Sequence, residues 1–172
     1  MLSPDSYRPL DPNLDWSFFD PSLGVGSEER EVVLPLTETA SSELWRTYVS
    51  AKPTERHPML LPSSHWLNPA GPGPNWVTEF NSDSESRDTL QGKVAQFLLQ
   101  SFQLGQKERV FFVSMREHSY SVPMDFFALH WPCFLVSDDE GSFLYHPPSG
   151  RFAQFGPNGS VGFGIRSATN AV

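Results

Sequence analysis

Cys133 is the one cysteine of the chain and the side chain best suited to nucleophilic chemistry. A thiol performs acyl transfer when a histidine acts as its base and a carboxylate orients that base. His118, His130 and His146 lie near Cys133 in the sequence, and Asp125 is a nearby carboxylate. The thiol is flanked by apolar residues, however, with no sign of the helix N-terminus or cationic pocket that stabilises a thiolate. We therefore expect a buried, unreactive cysteine, with a small thiol-dependent hydrolase as the alternative.

The residue spacing does not predict a metal site or a nucleotide site. The five histidines follow no ligand pattern such as His-x3-His or HExxH. The acidic run 138–140 is too short for a calcium-binding loop, and with Gly141 it predicts a hairpin turn. Gly162 and Gly164 lack the third glycine and the following helix of a dinucleotide site. We expect no catalytic residue, no metal ligand and no cofactor.

Large aromatic side chains alternate with polar ones near the N-terminus and are flanked by carboxylates. Aromatic residues supply much of the energy of protein interfaces, and acidic residues at the rim attract a basic partner. We predict that five residues bind a partner: Asp15, Trp16, Phe18, Phe19 and Asp20. In the alternative interpretation, Trp16 and Phe18 pack the N-terminal segment, as a short strand, against the rest of the chain.

The negative charge is concentrated in the same region. The chain of 172 residues carries 12 basic and 20 acidic side chains, a net charge of −8. Nine of the acidic side chains and only two of the basic ones lie in the first 45 residues. Binding to phosphate backbones requires a basic surface, so we expect no nucleic-acid partner. A protein with a basic surface is the partner that this segment favours.

Hydrophobic periodicity predicts the elements that position these residues. The pattern favours helices at 37–49 and 89–104 and a buried strand at 109–115. A short helix is expected to begin near Pro123 and to end before Pro132. Four short strands then follow at regular spacing, separated by glycine-containing turns: 134–137, 142–146, 151–155 and 160–166. Together these predict an α+β fold, an antiparallel meander of about five strands with two or three helices packed on one face.

The predicted organisation is a single domain over 1–172. Within it we distinguish an irregular acidic N-terminal segment at 1–35, a proline-rich connection at 52–87, and a strand, short helix and β-meander at 106–166. Two tryptophans, Trp66 and Trp76, are expected to pin the proline-rich connection, and a polar loop tip is expected at 81–87. If that connection covers an aromatic pocket, the chain is a small-molecule binding module.

The first twenty residues do not resemble an export signal. Prolines and charged residues interrupt the apolar stretch that a signal peptide needs. No stretch approaches the roughly 20 apolar residues of a membrane-spanning helix. We expect a cytoplasmic protein with no membrane partner and with Cys133 reduced.

A set of structural landmarks runs through the ordered part of the chain: Leu44, Trp45, Ser64, His65, Trp66, 110–115, 127–131, Phe134, Leu135, 139–141, Phe155, Asn158, Gly159, Gly164 and Arg166. These residues resemble a small family of bacterial proteins catalogued as a domain of unknown function, over most of residues 40–166. The chain also resembles SUKH-type immunity proteins, which implies a role in neutralising a toxin by binding it. Neither resemblance supplies catalytic residues.

The combined hypothesis is a non-enzymatic, cytoplasmic bacterial protein of immunity or inhibitor type. Its acidic N-terminal face would bind another protein that carries a basic surface. A thiol-dependent hydrolase at Cys133 and a small-molecule binding module are the two alternatives.

Overall fold

The computed structural model describes residues 2–67, 78–79, 87–105, 107–136, 141–156 and 160–166. Its helices are α1 (Ser27–Arg30), α2 (Glu38–Tyr48), α3 (Arg87–Phe102) and α4 (Met124–Leu135). Its strands are β1 (Leu34–Pro35), β2 (Thr78–Glu79), β3 (Arg109–Met115), β4 (His118–Pro123), β5 (Phe143–His146), β6 (Arg151–Gly156) and β7 (Ser160–Ile165). Single 3₁₀ turns lie at Pro4–Ser6, Trp16–Phe18, Pro21–Leu23 and Pro58–Leu60. None of the helices in these ranges is long and apolar enough to cross a membrane.

The strands form one antiparallel sheet in the order β1-β4-β3-β5-β6-β7-β2. The α+β prediction is confirmed. Five long strands make up the centre, as predicted, and a two-residue strand adds to each edge. The short edge strands leave little backbone open for pairing with another chain.

The five long strands are not all the ones that the sequence predicted. Phe134 and Leu135, assigned to a strand, lie in helix α4, and strand β4 was not predicted. In β4, Ser119 and Ser121 alternate with Tyr120 and Val122, but this pattern covers only four residues, and all four side chains are buried. The Ser119 hydroxyl is satisfied by the Ser41 hydroxyl of α2 at 2.7 Å, which makes its burial tolerable.

Helices cover both faces of the sheet, which corrects the prediction that they pack on one face. Helices α3 and α4 bury one face through residues such as Val110 and Phe112 of β3. Helix α2 covers the opposite face, where Trp45 packs near Phe143 of β5 with ring centroids 6.3 Å apart. Side chains alternate between the faces of a strand, so a strand that is apolar at consecutive positions needs cover on both sides.

Helix α4 continues through Pro132, although the sequence predicted that it would end before this residue. Proline lacks the N–H group and crowds the preceding turn, so a kink is the expected result. The kink lies at His130, whose backbone angles of −115° and 21° are non-helical. The extra turn carries Cys133 and Phe134 into the core.

Two other boundaries also differ. Helix α3 begins at Arg87, two residues before the predicted start at 89. It ends at Phe102, two residues before the predicted end at 104, because Gln103 has a left-handed φ of 50°. The predicted strand at 14–18 is the 3₁₀ turn Trp16–Phe18.

The described part of the proline-rich connection packs on the α2 face. Leu61 and Leu67 are buried there, and Trp66 lies edge-on to Phe152 at 4.8 Å, so its predicted pinning role is confirmed. These side chains contact the core. Trp76, the loop tip at 81–86 and the acidic run 138–140 lie outside the described residues.

The turn between β5 and β6 requires glycine, as predicted. Gly150 has a φ of +69°, and a Cβ atom there would lie 2.7 Å from the backbone oxygen of Arg166. Gly141, at φ +90°, precedes β5. A side chain at either position would be strained.

Candidate functional site

An open cleft of about 560 Å³ lies where α1, the first residues of β3, the end of β4 and α4 meet. Four apolar side chains form part of its wall: Val32, Pro123, Phe126 and Leu129. Five ionisable side chains complete it: Glu29, Lys107, Arg109, Asp125 and His130. Apolar walls with a few polar groups are typical of ligand-binding clefts of this size.

The N-terminal wall of the cleft is positioned by a local capping interaction. Glu29 lies in the first turn of α1, and its Oε2 accepts a hydrogen bond of 2.7 Å from the backbone N–H of Gly26. This bond lowers the pKa of Glu29, and the neighbouring His130 acts in the same direction. The carboxylate is therefore held ionised at the start of the helix, where the helix dipole also favours negative charge.

Arg109 connects this wall to the sheet. Its Nη2 donates to the backbone oxygen of Val32 at 2.8 Å and to that of Ser121 at 2.6 Å, and its Nε donates to Ser121 Oγ at 3.0 Å. Burial lowers the pKa of Arg109, and no carboxylate of the described residues forms an ion pair with it. The guanidinium is thus a half-buried positive charge that is held by neutral oxygens.

Helix α4 supplies the third wall. The helix begins where Met124 N donates to Glu108 O at 2.9 Å, which places its first residues next to β3. The Oδ1 atom of exposed Asp125 accepts from the N–H of Phe126 at 2.7 Å. One turn later the His130 ring packs against the Phe126 ring, with centroids 4.6 Å apart.

His130 and Glu29 approach each other without forming a hydrogen bond. The His130 side chain is 9% exposed, and its Nε2 lies 3.6 Å from Glu29 Oε1. This distance is too long for a hydrogen bond, and Nε2 is buried without a partner. The cleft thus contains two carboxylates, two cations and a histidine, none of which is neutralised by a full ion pair among the described residues.

A second polar cluster surrounds the buried carboxylate of Asp15. Asp15 is 1% exposed and receives two hydrogen bonds from Arg8, at 2.6 and 2.9 Å. The backbone N–H of Asp11 donates to it at 2.8 Å, and the Tyr120 hydroxyl donates at 2.7 Å. The Tyr120 oxygen also lies 2.7 Å from His118 Nε2. We call these residues the Asp15 network, and it ties the N-terminal segment to strand β4.

Ionisation of Asp15 is opposed by burial and favoured by its donors. Burial is the largest single influence and raises the pKa, but the bonds from Arg8, Asp11 and Tyr120 together outweigh it and lower the pKa below its ordinary value. Burial and the nearby Asp15 carboxylate raise the pKa of Tyr120, which stays protonated as a donor. The network is therefore an internally neutralised support of the fold.

These positions correct the predicted docking surface for two residues. Asp15 and Phe18 are both 1% exposed and contact the interior of the chain. Phe19 is half-buried beneath the Arg30 guanidinium at 4.6 Å, and Asp20 accepts from Ser22 N at 2.8 Å. Trp16 is 42% exposed. The segment forms a 3₁₀ turn in which the consecutive residues Ser17 and Phe18 both lie inward, whereas a strand would place them on opposite faces.

The structure does not support an activated thiol at Cys133. The residue is 2% exposed, and its thiol donates to the Leu23 carbonyl oxygen at 3.8 Å. It lines a cavity of about 50 Å³ together with His118, whose Nε2 contacts Tyr120. His146 bonds Ser149 Oγ at 2.8 Å. No group of three potential metal-ligating side chains occurs in the part of the chain that the structure describes.

We expect native Cys133 to react with iodoacetamide at neutral pH on the order of a hundredfold more slowly than in denaturant, because labelling requires local opening of the core. Mass spectrometry of quenched time points measures both rates on the same protein. Rapid stoichiometric labelling of the native protein would instead favour the thiol-dependent hydrolase.

Three ionisable residues of the cleft were not identified from the sequence. Glu29 lies in α1, Lys107 and Arg109 lie where the chain enters β3, and Asp125 and His130 were considered only as partners of Cys133. The spacing of Gly26 and Glu29 is a local helix-capping signal that could have identified the start of α1 from the sequence. Nothing local indicates that Glu29 meets His130, because the two are brought together by the tertiary fold.

The model of a protein family described as "Protein of unknown function (DUF2947)" matches residues 7–164. This span includes every residue of the cleft and of the Asp15 network. The predicted resemblance to a family of unknown function is confirmed, whereas the similarity to SUKH-type immunity proteins is not supported. No curated protein and no solved structure matches the chain.

Proposed function

The chain belongs to the DUF2947 family of proteins of unknown function, and we propose that it is a non-enzymatic binding protein whose ligand occupies the cleft. The observation that carries the proposal is the unpaired charge within this opening. Arg109 is half-buried without a carboxylate, and Glu29 lacks a hydrogen-bonded cation. Charges in a cleft gain energy when a ligand supplies the missing partners.

The acidic N-terminal segment keeps its proposed binding role, but the binding site lies at α1 and not at residues 15–20. Helix α1 belongs to this segment, and Glu29 is the carboxylate that it contributes to the cleft. Asp15, in contrast, is already neutralised by Arg8. A partner is therefore expected at α1 and α4.

Three geometric features favour binding over catalysis. The Glu29 and His130 side chains are not joined by the hydrogen bond that orients an acid–base pair. The Cys133 thiol faces the Leu23 carbonyl inside the core. The open shape of the cleft also gives a bound molecule ready exchange with solvent, which suits recognition better than water-excluding chemistry.

A fragment screen by ¹H–¹⁵N nuclear magnetic resonance tests the site with a broad set of small molecules. We expect millimolar fragments to shift amides of α1, the start of β3 and α4 preferentially. Leu129→Arg should abolish these shifts, because Leu129 is 57% exposed in the cleft wall. Leu99→Arg is the matched control, since Leu99 is 46% exposed on α3 and is not part of the cleft. Hits that map elsewhere, or that survive Leu129→Arg, would contradict the proposal.

A further inference from the structure

The ionisable side chains of the cleft balance one another in sign. Glu29 and Asp125 carry negative charge, and Lys107 and Arg109 carry positive charge. A net charge near zero gives no general preference for a cation or an anion. The opposite charges are nevertheless separate, so a ligand that carries both signs can satisfy both.

The positive pair is arranged to receive an anion. Lys107 and Arg109 lie two residues apart as the chain enters β3, and both line the cleft. Among the described residues, the Arg109 guanidinium bonds only to neutral oxygens, through Nε and Nη2. A half-buried guanidinium with no carboxylate gains a charge-assisted hydrogen bond from an anionic ligand.

The negative group is arranged to receive a cation. Glu29 Oε2 is bound to Gly26 N, while Oε1 faces His130 Nε2 across 3.6 Å. The Glu29 side chain is 47% exposed, so a ligand can reach this oxygen. The His130 ring is nine-tenths buried in the wall, and its Nε2 lacks a hydrogen-bond partner. Within the described residues, Glu29 Oε1 and His130 Nε2 therefore do not satisfy each other by a hydrogen bond.

The remaining wall is apolar. Val32, Phe126 and Leu129 line the same opening as the charged groups. Leu129 is 57% exposed, although it belongs to a helix whose other large apolar residues are mostly buried. An apolar ligand body would cover this leucine and gain roughly 25 cal/mol for each Å² removed from water.

We infer that the cleft binds a small zwitterion with an apolar body, namely an apolar α-amino acid or a dipeptide of such residues. The ligand carboxylate bonds Lys107 and Arg109, the ammonium bonds Glu29, and the side chain covers Phe126 and Leu129. This inference rests on the proposed function, because it assigns the chemistry of the ligand to the same cleft.

Titration of the full chain with L-phenylalanine, monitored by nuclear magnetic resonance, tests the inference. We expect saturable binding in about the millimolar range or tighter, as suits a ligand of about twelve non-hydrogen atoms. Phenylalanine amide lacks the carboxylate, and N-acetylphenylalanine lacks the ammonium. Each should bind about tenfold more weakly, because each loses a hydrogen bond between charged groups. Leucylphenylalanine distinguishes an amino-acid ligand from a dipeptide ligand. If it binds more tightly than phenylalanine does, the ligand is a dipeptide.

Two variants test which protein side chain binds each charged group of the ligand. Glu29→Gln should weaken phenylalanine about tenfold and leave N-acetylphenylalanine unchanged, because the acetylated probe has no ammonium to lose. Lys107→Gln should weaken phenylalanine and leave phenylalanine amide unchanged. Glu28→Gln is the matched control, since Glu28 is an exposed residue of α1 that does not line the cleft.

The failure of this inference can be separated from that of the proposed function. Equal affinity for the zwitterion and its two capped forms overturns the zwitterion inference. Absence of phenylalanine binding overturns it as well, even when other fragments still bind in the cleft and support the proposed function. Phenylalanine shifts that survive Leu129→Arg place the amino acid elsewhere and also overturn it.

Discussion

Replacing Asp15 by Ala is expected to lower the free energy of unfolding by about 3 kcal/mol, because the change leaves buried donors without an acceptor. Arg8, the Asp11 N–H and the Tyr120 hydroxyl all point at this carboxylate. Tyr120 is 5% exposed and has no ready access to water as a substitute partner. Urea denaturation followed by circular dichroism measures the difference.

The control for this substitution is Asp5→Ala, which removes an exposed carboxylate from the same acidic segment and should change stability by less than about 0.5 kcal/mol. A double-mutant cycle with Arg8→Ala isolates the ion pair. If Asp15→Ala lowered the free energy of unfolding no more than Asp5→Ala, the Asp15 network would not support the fold.

The Asp15 contribution also has a defined pH dependence. The folded-state pKa of Asp15 is lower than its ordinary value, so the stabilisation is complete above the unfolded-state pKa of about 4. It is lost as the pH falls through the lower, folded-state pKa. The difference in unfolding free energy between the natural protein and Asp15→Asn should therefore be constant from about pH 5 to 7 and should shrink below about pH 4.

Phe18→Ala is expected to lower the free energy of unfolding by about 3 to 5 kcal/mol, because it leaves a cavity in the core. The Phe18 ring is 1% exposed and makes edge contacts with Tyr120 at 5.5 Å and Phe134 at 4.9 Å. It therefore joins the N-terminal segment to both the sheet and the kinked end of α4. Thermal and urea unfolding provide two independent measurements.

The neighbouring Trp16→Ala is the matched comparison, since this larger aromatic ring is 42% exposed. Its loss should cost less than about 1 kcal/mol. If Phe18→Ala left the free energy of unfolding nearly unchanged, or if Trp16→Ala lowered it more than Phe18→Ala, Trp16 would be the buried ring and Phe18 the exposed one. That result would restore Phe18 to the predicted docking surface.

Elements with a regular local pattern were well predicted from the sequence. Thr37 caps α2 through Oγ1 at 3.3 Å, and β3 spans the predicted residues Arg109–Met115. Strands β5, β6 and β7 and the turn glycine Gly150 were also predicted. In each case the signal lies within a few residues, as periodicity, a capping hydroxyl or a turn glycine.

Elements whose state depends on a distant neighbour were not predicted. Residues 134–135 are apolar and suit either a strand or a helix, and packing against Phe18 and Phe112 places Phe134 on α4. The local signal of strand β4 is only a four-residue alternation from Ser119 to Val122, and the burial of Ser119 depends on Ser41, 78 residues away. Tertiary contacts decide between weak local preferences in both places.

The sequence by itself determined the α+β class, the apolar core and the unequal distribution of charge, because these follow from composition and local periodicity. Only the tertiary structure decided which charges are used within the fold and which face a cleft. Asp15 and Glu29 belong to the same acidic segment, yet Asp15 meets Tyr120 in the interior while Glu29 faces His130 at the opening. The physical reason is that the fold sets the surroundings of each carboxylate: it brings Tyr120 to Asp15 and His130 to Glu29, although each pair is separated by about a hundred residues along the chain.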